Sequence, residues 1–519
     1  MKKAIFFLFI AVFSAVSAFS QSVEITNFMR LNPYSSNNNP AYFMPYKFHV
    51  GIPGVANVNF SVYNTGLIYK NLFTLDKDGR PLKITPDKFI NSLPKNNWLN
   101  SELNLEILGF GLRVKRFFIT FGYRLKFEER FRYSKDIFNL LAGNLAQDNK
   151  GNYIFTKESP AVLRMEPSLN LYQELSVGLQ AQITDQLYVG LRPKVLFGVI
   201  NLTTDNLYIK TYTDPEDYTI YGNYDVGLKV ASVIPFYKKD EHGEIQFTTE
   251  EMLNIKAFNL SKNLGFGIDL GAVYRINQQL RVSASITDLG FIRWKGSPLS
   301  LTVKSPKKEY YEFSGFTETH IRNFIENGIN INVDSLVNNT FSRETGKPYT
   351  TALTSKIMVE GSFDVTPSNR FTVQLKGYVI GKQFLPQFTV AYNGTFFNLI
   401  DVVLSYSMMK KSFANLGLGL GFRLGPVHLY TGTDNVLAAI NLLNAPRINA
   451  TVGLVIDFPI KAKIKEPQIK SMYRAESVDD MEEVGGTGEK EKGEGRMQKA
   501  EVEKEPKVRK NKNNSEINE

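Results

Sequence analysis

The sequence contains no cysteine, which excludes thiol chemistry, and it offers four histidines to weigh for catalytic or metal roles. They are His49, His242, His320 and His428. His242 sits in the polar loop pattern "KKDEHGE", His320 opens a loop-helix pattern, and His49 and His428 occupy alternating strand positions. A metal site needs three or four converging ligands, and "DEH" alone does not supply them. No serine stands in a G-x-S-x-G elbow. The run "GFGIDLG", Gly265 to Gly271, has glycine spacing like that of a nucleotide loop, but it lies on an alternating strand with no helix after it. No enzyme activity, catalytic residue, metal or cofactor is therefore expected.

The residues that could recognise a ligand are fixed charges placed at every second position. In "FFITFGYRLKFEERF", Phe117 to Phe131, the residues Phe117, Ile119, Phe121, Tyr123, Leu125 and Phe127 form one face, while Thr120, Gly122, Arg124, Lys126 and Glu128 form the other. A period of two is a strand with sharply divided faces. Arg192 and Lys376 fall on polar faces of the same kind, as does Asp269. Arginine and lysine suit an acidic head group, so Arg124, Lys126, Arg192, Lys376 and Asp269 are the candidate inward-facing ligand residues. The equally open role is mutual balance between these cations and inward acids such as Glu128, Glu174 and Asp269.

The strands that would carry these charges are long. Alternation persists for about eleven residues in the quoted run, where soluble strands average about five or six and a tilted membrane strand needs roughly nine to eleven. Residues 171 to 183 and 371 to 379 repeat the pattern: Leu175, Val177, Leu179, Ala181 and Ile183 are set against Glu174, Ser176, Gln180 and Gln182, and Thr372, Gln374, Lys376 and Tyr378 form the polar side of the second run. No segment after the amino terminus has 18 consecutive apolar residues, so no transmembrane helix is expected. Mean hydropathy is −0.20, with 38 Phe and 25 Tyr against 2 Trp. That profile suits a β-barrel whose faces alternate between lipid and lumen, with aromatic girdles. Met1-Lys2-Lys3 followed by "AIFFLFIAVFSAV" and small residues is a secretory signal pattern, with cleavage expected between Ala18 and Gln21. A formal charge of +10 on an exported chain points to anionic lipid or lipopolysaccharide and away from nucleic acid.

Short connections at 114–117, 183–187, 276–280, 365–371, 396–400 and 423–427 alternate with longer ones at 131–167, 200–206, 232–262 and 295–350 and around 382, 410 and 435, with 206–231 read as two strands joined at "DPEDY". This is the rhythm of a barrel with short turns at one end and long loops at the other. The expected fold is all-β: a single antiparallel transmembrane barrel of 14 strands, or 16, with an amino-terminal lumen plug and short loop helices at 134–147 and 319–331. A bulge is expected near Gly109, where "LNLEILGFGLRV" changes phase. Gly265, Gly267 and Gly271 share a face with Asp269, a thin surface open to close backbone approach or plug contact. "TDN" at 433–435 is expected to cap the helix pattern "VLAAINLL".

The segment "NNNPAYFMPYKFHVGIPG", 37 to 54, resembles the start of the long-chain fatty acid transporter superfamily (FadL-like) and of the related shuttle barrel of type IX secretion, in which an NPA element precedes the first strand. Asn39, Pro40 and Ala41 match that element. "GFGIDLGAVYRINQQLRVSASITDLGFIRW" (265–294) and "TGTDNVLAAINLLNAPRINATVGL" (431–454) resemble a Bacteroidota family of outer-membrane barrels of unknown function, distantly related to the same superfamily. The resemblance covers about residues 22–460 and implies a plug in the lumen. The final strand "NATVGLVIDF", with Gly453, Ile456 and Phe458, resembles the signal read by barrel-assembly machinery. The expected organisation is a signal peptide (1–21), a plug and entry segment (22–55), an outer-membrane barrel (56–460) and a charged tail (461–519) that cannot fold alone and hangs in the periplasm of a Gram-negative cell. The resemblance implies passage or binding of a hydrophobic or amphipathic ligand. The alternative is a barrel scaffold, or a secretion-associated shuttle, that binds protein partners, including a periplasmic one, through its loops and tail.

Overall fold

A bilayer offers no partner for a backbone N–H or C=O, so strands can cross it only if their edges close on each other. The computed structural model describes residues 24–66, 73–75, 81–84, 86–142, 151–216, 220–234, 236–247, 260–304, 342–380, 383–397, 399–409, 412–440 and 445–459. Its strands close into one 14-stranded antiparallel barrel. In order around the wall these are an interrupted first strand (Tyr46–Gly51 and Val58–Asn64), then Asn96–Val114, Phe117–Ser134, Met165–Gln182, Leu187–Thr213, Leu264–Arg275, Leu280–Trp294, Ser355–Thr366, Asn369–Ile380, Gln383–Phe396, Ile400–Met409, Ser412–Leu424, Val427–Thr433 and Arg447–Pro459. The last strand closes the wall by pairing with both halves of the first.

All six expected short turns lie at one end of the barrel. The bulge expected near Gly109 falls between Glu106 and Leu108. Two expectations need correction. The first strand starts at Tyr46, ahead of Ala56, because Phe48 to Val50 already pair with Phe110 to Leu112 on one side and with the last strand on the other. It is broken at residues 52–57, where Gly54 takes a left-handed φ of 78°. No link exists at 200–206 either: Leu187–Thr213 is one continuous strand. Its lower part pairs with Leu264–Tyr274, and its upper part pairs with Ile220–Ser232. The upper hairpin continues the wall past the long-loop end, where Ile220–Ser232 pairs with Leu299–Lys304 and that strand with Ser342–Thr345. A short helix, Asp136–Ala142, occupies part of the expected 134–147 stretch. The signal peptide, the 319–331 helix and the charged tail lie outside the described residues.

Inside and outside are inverted relative to a soluble protein. Outward residues such as Val177, Phe266, Val359, Phe371, Leu375 and Leu404 are exposed, whereas Glu174, Asp269, Gln374 and Lys376 face inward and are buried. Among the described residues no helix is long and apolar enough to cross a membrane. The apolar exterior is the lipid face of a membrane-spanning barrel of outer-membrane type. Replacing Leu375, midway along its strand, by Arg should lower unfolding stability by about 2–4 kcal/mol, while Leu424→Arg beside a short turn should cost at most about 1 kcal/mol. Urea unfolding in lipid vesicles, followed by heat-modifiable gel mobility, checks this; equal losses at the two positions would contradict the lipid-facing assignment.

Candidate functional site

Fourteen strands enclose a lumen too wide for their own inward side chains to fill. Residues 24–45 fill it, through two short 3-10 turns, Ile25–Asn27 and Pro33–Asn37. Ile25, Phe28, Met29 and Tyr34 pack against Ala391, Val403, Tyr430 and Val455 of the wall. Ala41, Tyr42 and Phe43 pack against Tyr188 and Val273, and Met44 against Phe118, and polar bonds hold the plug at both ends and along its length.

At its start, the Asp434 carboxylate accepts from the backbone N–H of Glu24 (2.8 Å) and of Ile25 (2.7 Å), and also from Arg447 Nη2 (2.8 Å) and Asn449 Nδ2 (2.7 Å). The expected role of this aspartate as a helix cap is thereby corrected. A helix does follow, Val436–Ile440, but the carboxylate turns to the plug. The Glu24 side chain accepts from Lys376 Nζ (2.7 Å) and from the Tyr378 hydroxyl (2.7 Å). Burial alone would push the Glu24 carboxyl up, but the Lys376 ammonium, helped by Tyr378 and Arg447, holds it below its ordinary value.

The NPA element docks on a notch in the wall. Gly190 and Gly271 are register partners on neighbouring strands. A Cβ on Gly271 would lie 2.0 Å from Asn39 Oδ1, and one on Gly190 would lie 2.2 Å from the Pro40 carbonyl carbon. Only paired glycines let the plug backbone come this close. Asn39 accepts from its own Ala41 N–H (2.9 Å) and donates to the carbonyls of Ala272 and Ala284, while Gln180 donates to the Ala41 carbonyl.

Above this notch lies a cluster of buried charge. Arg124 binds Glu106 (2.5 Å) and Glu174 (2.9 Å) and reaches Asn37 of the plug (2.7 Å). Lys126 binds Glu174 (2.8 Å) and Asp288 (2.9 Å). Lys194 binds Asp269 (2.7 Å) and Asp288 (2.6 Å), with Lys356 at 3.7 Å from Asp288. Arg192 lies 3.4 Å from Asp269 and donates to the Ser36 carbonyl of the plug at 2.8 Å. Asp288 is delivered by a bulge: Ile268 pairs with Leu289 but Leu270 with Ile286, so Thr287 and Asp288 both turn inward, with Asp288 at φ 57°. Aspartate is among the few residues that tolerate that conformation.

Arg124, Lys126, Arg192, Lys376 and Asp269 thus all face the lumen, and each is already engaged by opposite charge, four of them also touching the plug or a partner of it. Glu106, Lys194, Lys356 and Asp288 belong to the same system and were not singled out from sequence. The signal for Asp288 was present: in "ITDL" the outward apolar residues Ile286 and Leu289 are three apart instead of two. Gly453 faces inward beneath the Tyr430 ring, where a Cβ would lie 2.1 Å from it, and Ile456 and Phe458 face outward, Phe458 stacking on Phe48. His49 stacks on Phe118, His428 Nδ1 lies 3.4 Å from Asp457, and His242 is in an exposed turn. His320 is outside the described residues. Among the described residues, no three His, Asp or Glu are grouped to hold a metal.

Two of the lumen cavities lie toward opposite ends of the barrel. At the long-loop end one of about 540 Å³ is lined by Tyr63, Trp98, Tyr378, Leu385 and Met409, with Lys95 and Arg132. The Arg132 guanidinium lies 5.3 Å from the Trp98 ring, with Nη1 3.3 Å from Glu166, and its buried Nε has no hydrogen-bond partner. The other, of about 180 Å³, lies at the short-turn end.

Residues 40–434 match a family of unknown function, DUF5723. The chain belongs to this family. No curated protein matches it. Among solved structures it is similar to the Pseudomonas putida toluene transporter TodX (7% identity, 85% of this chain and 98% of that one, TM-score 0.40). It is also similar to the Ralstonia pickettii toluene transporter TbuX (9%, 85% and 99%, TM-score 0.42) and to a Pseudomonas aeruginosa FadL homologue (10%, 85% and 100%, TM-score 0.30).

Because the chain has no cysteine, a single introduced thiol reports plug position without background. In an Ala41→Cys background, Gly190→Ala should overpack the notch by about 1–3 kcal/mol and raise maleimide labelling about tenfold; an unchanged rate would mean that the NPA element is not clamped there. The lowered Glu24 carboxyl contributes stability that is complete above its ordinary value of 4.5 and is lost as pH falls through its lower folded value. Labelling of the same thiol should therefore stay flat down to about pH 4.5 and rise below it in the native chain, but not in Glu24→Gln, measured with an acid-tolerant thiol reagent.

Proposed function

We propose that this protein resides in the outer membrane of a Gram-negative cell and takes up a hydrophobic or amphipathic molecule through its long-loop mouth, passing it inward when the plug rearranges. The short turns face the periplasm in this reading, as they do in barrels of this type. The last strand ends among them at Pro459, which supports a periplasmic charged tail from 461 onward.

The mouth cavity carries the reading. Its volume falls within the range of roughly 300–1,000 Å³ usual for small-molecule sites, and it joins an aromatic wall to a few placed polar groups. Arg132 supplies what an acidic head group needs: a guanidinium held over Trp98 with one buried donor unused. The lumen cations below are saturated by carboxylates, so their part is to hold the plug until a ligand weakens it. Onward passage requires the plug bonds from Arg192 to Ser36 and from Lys376 to Glu24 to open.

A second reading has its own observation. The strands Ile220–Ser232, Leu299–Lys304 and Ser342–Thr345 extend the wall beyond the barrel, a surface suited to a protein partner of a scaffold or secretion shuttle. Trp98 lines the mouth cavity and Trp294, the other tryptophan, is fully buried elsewhere, so quenching of Trp98 by a brominated long-chain carboxylate reads the site directly. Saturable quenching, weakened about tenfold or more in Arg132→Ala, is expected. Absence of quenching, together with stoichiometric recovery of a protein from native membranes, would favour the scaffold.

A further inference from the structure

The short-turn cavity has an unequal charge lining. Arg30 of the plug and Arg275, Arg281 and Arg370 of the wall surround about 180 Å³, against the single lining carboxylate of Glu360. Glu360 is already committed, accepting from the Tyr42 hydroxyl (2.8 Å) and from Gln374 (3.2 Å). Asp364, outside the lining, is shared: it accepts from Arg370 Nε at 2.7 Å and is also bonded by Arg281. Four guanidiniums and one carboxylate thus line a partly dehydrated space, where like charges repel more strongly than in water. The plug also brings apolar surface to this cavity, Phe28, Met29, Leu31 and Phe43, beside Asn27, Arg30 and Ser35. Arg275 lies 5.0 Å from the Tyr188 ring and 5.8 Å from that of Phe43, so its planar head is held at the boundary between the charged and apolar halves.

We propose that this cavity is a second binding site, open to the periplasm, for an amphipathic anion whose carboxylate or phosphate sits among Arg275, Arg281 and Arg370 and whose short apolar chain lies on the plug. The entrance is the turn carrying Pro367 and Ser368, and Arg30 of the plug donates to the Pro367 carbonyl. An occupant here touches plug and wall together. The site is distinct from the mouth cavity and stands whether or not a ligand enters there.

The test uses the full barrel in detergent with three probes: inorganic phosphate, decyl phosphate and decanoate. A Ser368→Cys variant leaves every arginine in place and gives the cavity entrance a single thiol in an otherwise cysteine-free chain. Decyl phosphate or decanoate should protect that thiol from alkylation saturably, and whichever protects at the lower concentration identifies the head group. Adding Arg275→Gln and Arg281→Gln should raise the concentration needed by about tenfold or more, while Arg132→Ala should leave it unchanged. Heat-modifiable mobility verifies that each variant is folded, and if the double variant is not, Arg275→Gln alone is read in its place. Absence of protection by any probe, or protection indifferent to the arginine substitutions, overturns the proposal. Inorganic phosphate protecting as well as decyl phosphate overturns its amphipathic part. Failure of the Trp98 experiment alongside protection here would reject the mouth site and keep this one.

Discussion

Everything in this molecule follows from the absence of hydrogen-bond partners in lipid. Strands that must satisfy every backbone group can do so only by closing, and the last strand meets both halves of the first to complete the wall. Closure then sends alternate residues outward to acyl chains and inward to an enclosed space, which reverses the usual placement of apolar and charged side chains. The lumen becomes the place where polar residues are buried, and buried charge is tolerable only when paired.

That second constraint explains why the plug is bound largely through polar groups. The wall strands bring Arg124, Lys126, Arg192, Lys194 and Lys356 together with Glu106, Glu174, Asp269 and Asp288, and the plug joins them through Asn37 at Arg124 and Ser36 at Arg192. A plug fixed by apolar packing alone would slide with little loss of contact. One fixed by directed bonds at Asp434, by the glycine notch and by the Arg192 contact has a single register.

The two cavities differ in a way that gives the barrel a direction. The mouth is wide and aromatic, with one well-placed guanidinium, whereas the short-turn cavity is narrow and crowded with four. The cationic lining is therefore denser at the short-turn end, where Glu360 is the one lining carboxylate.

The alternation of residues determined the strand character, the position of all six short turns, the inward direction of Arg124, Lys126, Arg192, Lys376 and Asp269, and the bulge near Gly109, because a strand exposes its two faces with a fixed period that needs no knowledge of its neighbours. The pattern could not say that Leu187–Thr213 runs unbroken through 200–206, since a strand rising out of the membrane keeps its hydrogen bonds with a different partner. Nor could it reveal that Lys194 meets Asp288, that Asp434 turns from its helix to the plug, or that Gly190 lies opposite Gly271 beneath Pro40. Those pairings join residues up to hundreds of positions apart, and which of them meet depends on register around a closed wall. The sequence by itself determined which face each side chain takes; only the tertiary structure decided which charges neutralise each other, because pairing in a barrel is set by closure and shear, and these belong to the whole circumference and to no single strand.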